Sequence, residues 1–295
     1  MQQETNRRAY LQLHTAVFLF GFTGVLGELI QLDATLLVWY RMAMTVLLMF
    51  AYVRWIGQWK WLSRKEILHI TGVSSAIVVH WILFYGSIKY ASVSVAMICL
   101  SSITLFTAFL EPLLLKRPFS LWEGLFSLVV IAGVYLMAED QQQHSFGIAI
   151  GLASAFFSAL FTVLNKRLVG RYDSRLLSLY ELSTGFILLS CALPFLLQWL
   201  PSVSHFPSSS DWFYLFLLSF FCTVVAFNLS LNSLRFLSPF TVNLAINLEP
   251  VYGIALAFLI FAEYRELGWG FYAGAALILL ALLGEILYKR FSQKA

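Results

Sequence analysis

The chain has 295 residues, of which 60% are hydrophobic and 12% are charged, and its formal net charge is +4. Soluble domains carry about 25% charged residues, so a water-soluble fold is excluded and lipid must be the main solvent. The basic residues lie in short polar segments and form no aromatic-interleaved patch, which excludes nucleic acid as an expected partner.

Ten apolar segments in chain order predict ten transmembrane helices, because a segment in lipid must satisfy its own backbone hydrogen bonds. The first segment follows a polar start with Arg7 and Arg8 and has no small-residue cleavage site, so we expect it to remain as a span. Cys99, Cys191 and Cys222 all lie inside apolar segments, which predicts buried thiols and no disulfide framework. No metal or cofactor is expected. The predicted spans are 11–30, 36–56, 67–87, 93–115, 120–138, 146–164, 176–198, 212–232, 239–261 and 267–288.

The loop charges predict the orientation of these spans. With the N-terminus placed in the cytoplasm, all of the 19 basic residues except Arg41, Lys89 and Arg265 fall on the cytoplasmic side. This distribution follows the positive-inside rule. The sequence therefore predicts a multi-pass protein of the bacterial cytoplasmic (inner) membrane, with both termini in the cytoplasm.

The two halves of the chain resemble each other. The segment Ser-Ile-Lys-Tyr-Ala-Ser at 87–92 parallels Ser-Leu-Arg-Phe-Leu-Ser at 233–238, and Tyr40-Arg41 parallels Tyr180-Glu181. Each half has five spans, an odd number, so the second half must enter the membrane from the opposite side. The expected fold is an all-α integral membrane protein of two inverted five-helix repeats, residues 1–140 and 146–290, with a polar site near the midplane.

Further motifs support a family resemblance. They are Trp39-Tyr40-Arg41 in span two and Leu-Glu-Pro at 248–250, followed by Glu263, Gly270 and Gly274. With the ten spans and the basic loops, the chain resembles the drug/metabolite transporter superfamily in its EamA-type branch. That resemblance implies export or exchange of amino acids, nucleotide-linked compounds or other metabolites. The chain departs from the family pattern at Thr104, where a proline is usual, and at Lys116-Arg117, where Gly-Glu is usual.

Polar residues inside the spans are candidates for the site, because a charged group in lipid costs about 2.5–3.5 kcal/mol on insertion scales. Glu249 beside Pro250 is the clearest case; it could bind a proton or a substrate ammonium group, or it could bond a neighbouring span. Asn243 and Asn247, four residues apart, share a helix face, and Glu249 lies about 160° from Asn247 on an ideal helix. The remaining substrate-binding candidates are His80, Trp81, Tyr85, Ser101 and Thr104.

Each of these candidates has a structural alternative. His80 could simply bond a backbone or hydroxyl group, and small hydroxyl residues in span four could serve close helix packing. Glu28 and Arg41, near the outer ends of spans one and two, are expected to form a gating or structural ion pair. Glu111 and Glu181, near other span ends, are expected to reach water.

These observations favour a secondary transporter that exports or exchanges a small metabolite, such as an amino acid, by alternating access with protons as a coupling ion. The alternative is a membrane-embedded enzyme such as an acyltransferase, but the sequence has no His-Glu-x-x-His and no paired intramembrane aspartates. A receptor or scaffold would have no evident use for inverted repeats. Gly270 and Gly274 could support a homodimer or packing within a monomer.

Overall fold

The computed structural model describes residues 2–198 and 205–292, and every regular element within them is a helix. Serine and aspartate side chains cap the helix starts by accepting a hydrogen bond from a backbone N–H group of the first turn, as at Asp33, Ser63 and Ser92. The helices are α1 (Gln2–Phe20), α2 (Thr23–Leu29), α3 (Ala34–Trp55), α4 (Arg64–Tyr90), α5 (Val93–Leu100), α6 (Ile103–Leu115), α7 (Leu121–Asp140), α8 (Ser145–Leu168), α9 (Ser174–Leu196), α10 (Ser209–Ser219), a π-helical segment (Phe220–Val225), α11 (Ala226–Leu234), α12 (Pro239–Ile246), α13 (Glu249–Phe261) and α14 (Trp269–Ser292).

The helices confirm an all-α multi-pass membrane protein. In the described part of the chain, nine helical stretches are long and apolar enough to cross a bilayer. The tenth predicted span corresponds to α14, in which the apolar stretch Trp269–Ala281 is shorter. The count of ten spans therefore stays a prediction. Of the cysteines, Cys99 and Cys222 are buried as expected, whereas Cys191 is exposed, and all three are free thiols.

Spans four and nine are broken at equivalent places, which supports the internal repeat. Helices α5 and α12 each have 8 residues, and α6 and α13 each have 13. Both spans end in a left-handed residue, Lys116 with φ 57° and Ala262 with φ 55°. Two unrelated apolar sequences would not be expected to reproduce the same cap, break and left-handed end.

Side-chain contacts sort the loops onto two faces of the molecule. On the face that carries the N-terminus, Asn232 donates to Gln12 and the Lys166 ammonium donates to the carbonyl of Leu234. On the opposite face, the Lys89 ammonium donates to the carbonyl of Ile30, 2.9 Å away. The segments 87–92 and 233–238 therefore lie on opposite faces, as inverted repeats require. Which face is cytoplasmic stays a prediction.

Each half supplies a carboxylate to the start of a broken helix in the other half. The Glu263 carboxylate accepts hydrogen bonds from the backbone N–H groups of Val93 at 3.1 Å and Ser94 at 2.9 Å, at the start of α5. The Glu111 carboxylate accepts one from the N–H group of Phe240 at 2.8 Å, at the start of α12. Negative charge at a helix N-terminus is stabilising, so these contacts hold the halves together.

Span ten packs within the chain through glycine. A side chain at Gly274 would collide with the backbone oxygen of Gly133 on α7, so the two helices touch backbone to backbone. This contact uses the face of α14 that carries the small residues. It corresponds to the alternative in which Gly270 and Gly274 serve packing within a monomer. The oligomeric state stays a prediction.

Candidate functional site

A small cavity lies between the two halves. Its volume is about 60 Å³, which is room for a few water molecules. Aromatic and aliphatic side chains of both halves form most of its lining, and a few polar and charged side chains interrupt them. The lining residues are Phe20, Thr23, Arg41, His80, Trp81, Phe84, Leu100, Ser158, Phe161, Phe227, Ile246 and Glu249.

Glu249 meets the break of span one in this cavity. It is the first residue of α13 and only 6% exposed. Its Oε1 accepts a hydrogen bond from the hydroxyl of Thr23, 3.0 Å away, and Thr23 is the first residue of α2. The carboxyl group of Glu249 therefore lies where the first turn of α13 meets the first turn of α2.

Arg41 enters the same cavity from α3 and is 3% exposed. Its Nε donates to the Thr223 hydroxyl at 2.9 Å, and Nη1 donates to the Tyr85 hydroxyl at 2.8 Å. The guanidinium carbon lies 3.9 Å from the centre of the Trp81 ring, a cation–π contact. Among the described residues, nothing accepts a hydrogen bond from Nη2, which leaves these donors available to a ligand.

The cavity therefore carries one cation and one carboxyl group that do not pair. Among the described residues, no ion pair joins Arg41 to Glu249. The space between them is bounded by apolar rings such as Phe84 and Phe161. Such an arrangement can hold a molecule with separated positive and negative groups and an apolar body.

His80 lines the cavity but is already bonded to the second half. Its Nδ1 lies 3.0 Å from the backbone oxygen and 2.8 Å from the hydroxyl of Ser154 on α8. The ring also packs on Phe84 and Phe161. These contacts match the alternative in which His80 bonds a backbone or hydroxyl group. One edge of the ring also faces the cavity.

The other predicted site residues lie elsewhere in this conformation. Asn243 donates to the Thr107 hydroxyl at 2.8 Å, and Asn247 donates to the Thr104 hydroxyl at 3.3 Å. These bonds join α12 to α6 across the boundary between the halves. Ser101, at the break of span four, borders a separate apolar groove beside Pro250. The structure thus brings His80, Trp81 and Glu249 together in the cavity lining, and Tyr85 is connected to the cavity by its hydrogen bond with Arg41. The candidates that lie outside the lining are Ser101, Thr104, Asn243 and Asn247.

Among the described residues, Glu28 and Arg41 do not form the expected ion pair, so this prediction is wrong. Glu28 instead pairs with Lys89, with 3.4 Å between Oε2 and Nζ. The reason is depth: Arg41 is the eighth residue of α3, so it lies roughly 10 Å along the helix from its start. The expectation that Glu111 and Glu181 reach water is also wrong, because they are 3% and 0% exposed.

A wider opening lies on the N-terminal face, and sequence reasoning did not predict it. This opening, which we call the vestibule, has a volume of about 660 Å³. The π-helical segment runs beside it, with Phe220 and Val224 in the vestibule wall and Thr223 bonded to Arg41. π-Helical turns are frequent at functional sites. The vestibule residues are Gln12, Leu48, Tyr52, Trp55, Asp173, Ser174, Arg175, Phe220, Val224, Val225, Asn228, Leu229 and Asn232.

A charged cavity enclosed by two halves of a helical membrane protein is the architecture of a membrane transporter. The model of the EamA-like transporter family matches residues 7–138 and 145–286. The chain therefore belongs to the EamA-like transporter family.

Two further comparisons found similar proteins. A protein of Archaeoglobus fulgidus described as an uncharacterized transporter is 28% identical over 149 residues, which span 50% of this chain and 52% of that relative. The match thus covers about half of the relative's length. A solved structure, described only as the crystal structure of a protein, superposes with a TM-score of 0.69 over 93% of this chain and 95% of that one. Its sequence identity is 17%, so this likeness concerns the fold alone.

Proposed function

We propose that the protein is a secondary transporter that exports or exchanges a small zwitterionic metabolite, such as an amino acid with an apolar side chain. The main support for this proposal is that Arg41 and Glu249 line the same aromatic cavity without forming an ion pair. Arg41 Nη2 would bind the substrate carboxylate, since guanidinium matches carboxylate geometry. Glu249 would bind the ammonium group, and the surrounding rings would cover the apolar side chain.

Alternating access is the mechanism that these cavities support. The central cavity is too small for an amino acid, so the helices around it must move before a substrate is held. The breaks at Gly21–Phe22 and Asn247–Leu248 and the π-helical segment interrupt regular helix bonding and offer places to bend. The vestibule would then be the entrance from the N-terminal face.

The direction follows from the loop charges. We place the N-terminal face, with its basic loops, in the cytoplasm of a bacterial cell and the protein in the cytoplasmic membrane. In that orientation the vestibule admits substrate from the cytoplasm, which supports efflux or exchange. The Lys89 contacts with Ile30 and Glu28 would hold the outer face closed.

The test is counterflow in proteoliposomes with a panel of labelled neutral amino acids. Glu249→Gln keeps the size of the side chain and removes its charge, so uptake should fall while the amount of folded protein stays the same. Glu266→Gln is the matched control, because Glu266 is an exposed loop residue. Uptake by Glu249→Gln that equals the wild type at every pH would contradict the proposed role of Glu249.

A further inference from the structure

A second acidic residue is buried in the membrane away from the cavity. Glu181 on α9 is 0% exposed, and neither carboxyl oxygen makes a hydrogen bond of good geometry within the described structure. Ordered proteins rarely leave a buried carboxyl group unbonded, because the loss of hydration costs several kcal/mol. Such a residue needs an explanation that packing does not provide.

The side chain that faces this carboxyl group is Asn165 on α8, which is also 0% exposed. Both its amide oxygen and its amide nitrogen are unbonded among the described residues. An ionised carboxylate only accepts hydrogen bonds, so it can satisfy the amide N–H group but not the amide oxygen. A carboxylic acid can donate to the amide oxygen and accept from the amide nitrogen, so protonation makes the two groups complementary.

The pair lies between the vestibule and the central cavity. On α9, Ser174 lines the vestibule, Ser178 is buried with an unbonded hydroxyl group, and Glu181 follows. These residues are four and three apart, so they form one stripe along the helix. On α8, Asn165 follows Phe161 by four residues, and Phe161 lines the central cavity. A stripe of polar side chains on α9 therefore leads from the vestibule toward Glu181, and Asn165 lies one turn from the cavity wall.

The inverted repeat gives Glu181 a counterpart. Glu181 is the eighth residue of α9, and Arg41 is the eighth residue of α3. The cation in one half is held by Tyr85 and Thr223, whereas the acid in the other half faces the amide of Asn165. One half thus fixes a permanent charge, and the other half presents a group that can change its charge.

We propose that Glu181, with Asn165 as its hydrogen-bonding partner, is the proton-binding site that couples transport to a proton gradient. A hydronium ion in the vestibule transfers its proton along Ser174 and Ser178 to the carboxylate. The new O–H group then donates to the Asn165 amide oxygen, and one positive charge has entered the protein. The coupling rests on the proposed transport function, whereas proton binding does not.

No other charged group compensates Glu181 within the described structure. The helices packed against α9 are α3, α4 and α11. Titratable groups at the ends of α3, α4 and α8 on the N-terminal face are bonded elsewhere or exposed. Tyr52 bonds Arg175, Glu66 accepts from the Tyr172 hydroxyl, and Lys166 donates to the carbonyls of Leu234 and Leu237. The side chains of Arg54, Arg64, Lys65 and His69 are exposed. Helix α11 has no ionisable residue.

Infrared difference spectroscopy of the purified protein in liposomes tests proton binding without a substrate. Spectra are compared between about pH 5 and about pH 9, the range between ordinary carboxyl and amine titration. Glu249 is a second buried carboxyl group, so the comparison is made in the Glu249→Gln variant. That variant should show the C=O stretch of a buried carboxylic acid that titrates, and adding Glu181→Gln should remove this band. Adding Glu266→Gln instead should leave the band in place. Adding Asn165→Leu retains the acid but removes its partner, so the band should move to higher frequency.

Two results would overturn the proposal. One is a titrating band that survives in the double variant Glu249→Gln/Glu181→Gln, and the other is a band whose position does not change when Asn165→Leu is added to Glu249→Gln. Should Glu181→Gln fail to fold, the Asn165→Leu spectrum decides alone. For coupling, Glu181→Gln should keep counterflow of labelled neutral amino acids and lose their accumulation driven by a pH gradient. A lack of counterflow in the wild type would count against the proposed substrate class and leave the spectroscopic result standing.

Discussion

The carboxylate of Glu263 offers the sharpest test of how the two halves are held together. Glu263→Gln keeps the shape of the side chain but removes its negative charge. The Glu263 carboxylate accepts hydrogen bonds from the backbone N–H groups of Val93 and Ser94. The amide oxygen can accept from one N–H group, and the amide NH₂ group then faces the other donor. One charge-assisted bond of about 1.5–3 kcal/mol is lost and the second weakens to about 1 kcal/mol, a total loss of about 2–5 kcal/mol.

The assay is thermal unfolding of the purified protein in detergent. A loss of about 2–5 kcal/mol corresponds to a fall in apparent Tm of about 3–8 °C, because a chain of 295 residues has an unfolding entropy of about 0.6 kcal/mol/K. Glu266→Gln, three residues further along the same loop and exposed, should change Tm by less than about 1 °C. Equal melting of the two variants would refute the reasoning, because the buried carboxylate would then contribute nothing to the start of α5.

Two further substitutions test the packing and the cavity. Gly274→Ala should destabilise the protein by about 1–3 kcal/mol in the same assay, since the new methyl group meets the Gly133 backbone. Gly72→Ala, whose methyl group meets nothing, is its control, and equal effects would contradict the close contact. Arg41→Lys loses the planar donors that reach Thr223 and Tyr85, so counterflow should fall by about tenfold or more; wild-type counterflow would exclude Arg41 from binding.

The sequence was sufficient for the membrane class because hydropathy and loop charge are local signals. It also singled out Glu249 as a carboxyl group beside Pro250 in the middle of a span, and the structure places this residue in the cavity lining, bonded to Thr23; its role stays a prediction. Helical angles already separated Asn247 from Glu249, and in the structure they do face different neighbours: Asn247 bonds Thr104, while Glu249 lines the cavity.

The sequence was insufficient where a role depends on which helices are neighbours. Arg41, Glu111 and Glu181 lie within about two turns of a span end, so a reading of hydropathy places them near water. In the structure, Arg41 is enclosed by α4 and the π-helical segment, and Glu111 reaches the start of α12. Their partners are far apart in the chain, and no local pattern in one sequence specifies them.

The departure from the family pattern after span four changes which carboxylate caps α12. Where the second half has Glu263 after its left-handed residue, the first half has Arg117 after Lys116. The carboxylate that caps α12 comes instead from Glu111, and Arg117 pairs with it, with 3.6 Å between Nε and Oε1. Both broken spans therefore start from a helix end fixed by the other half. Movement between the halves should consequently occur at the breaks themselves, at Ser101–Ser102 and Asn247–Leu248, and the latter break directly precedes Glu249 in the cavity.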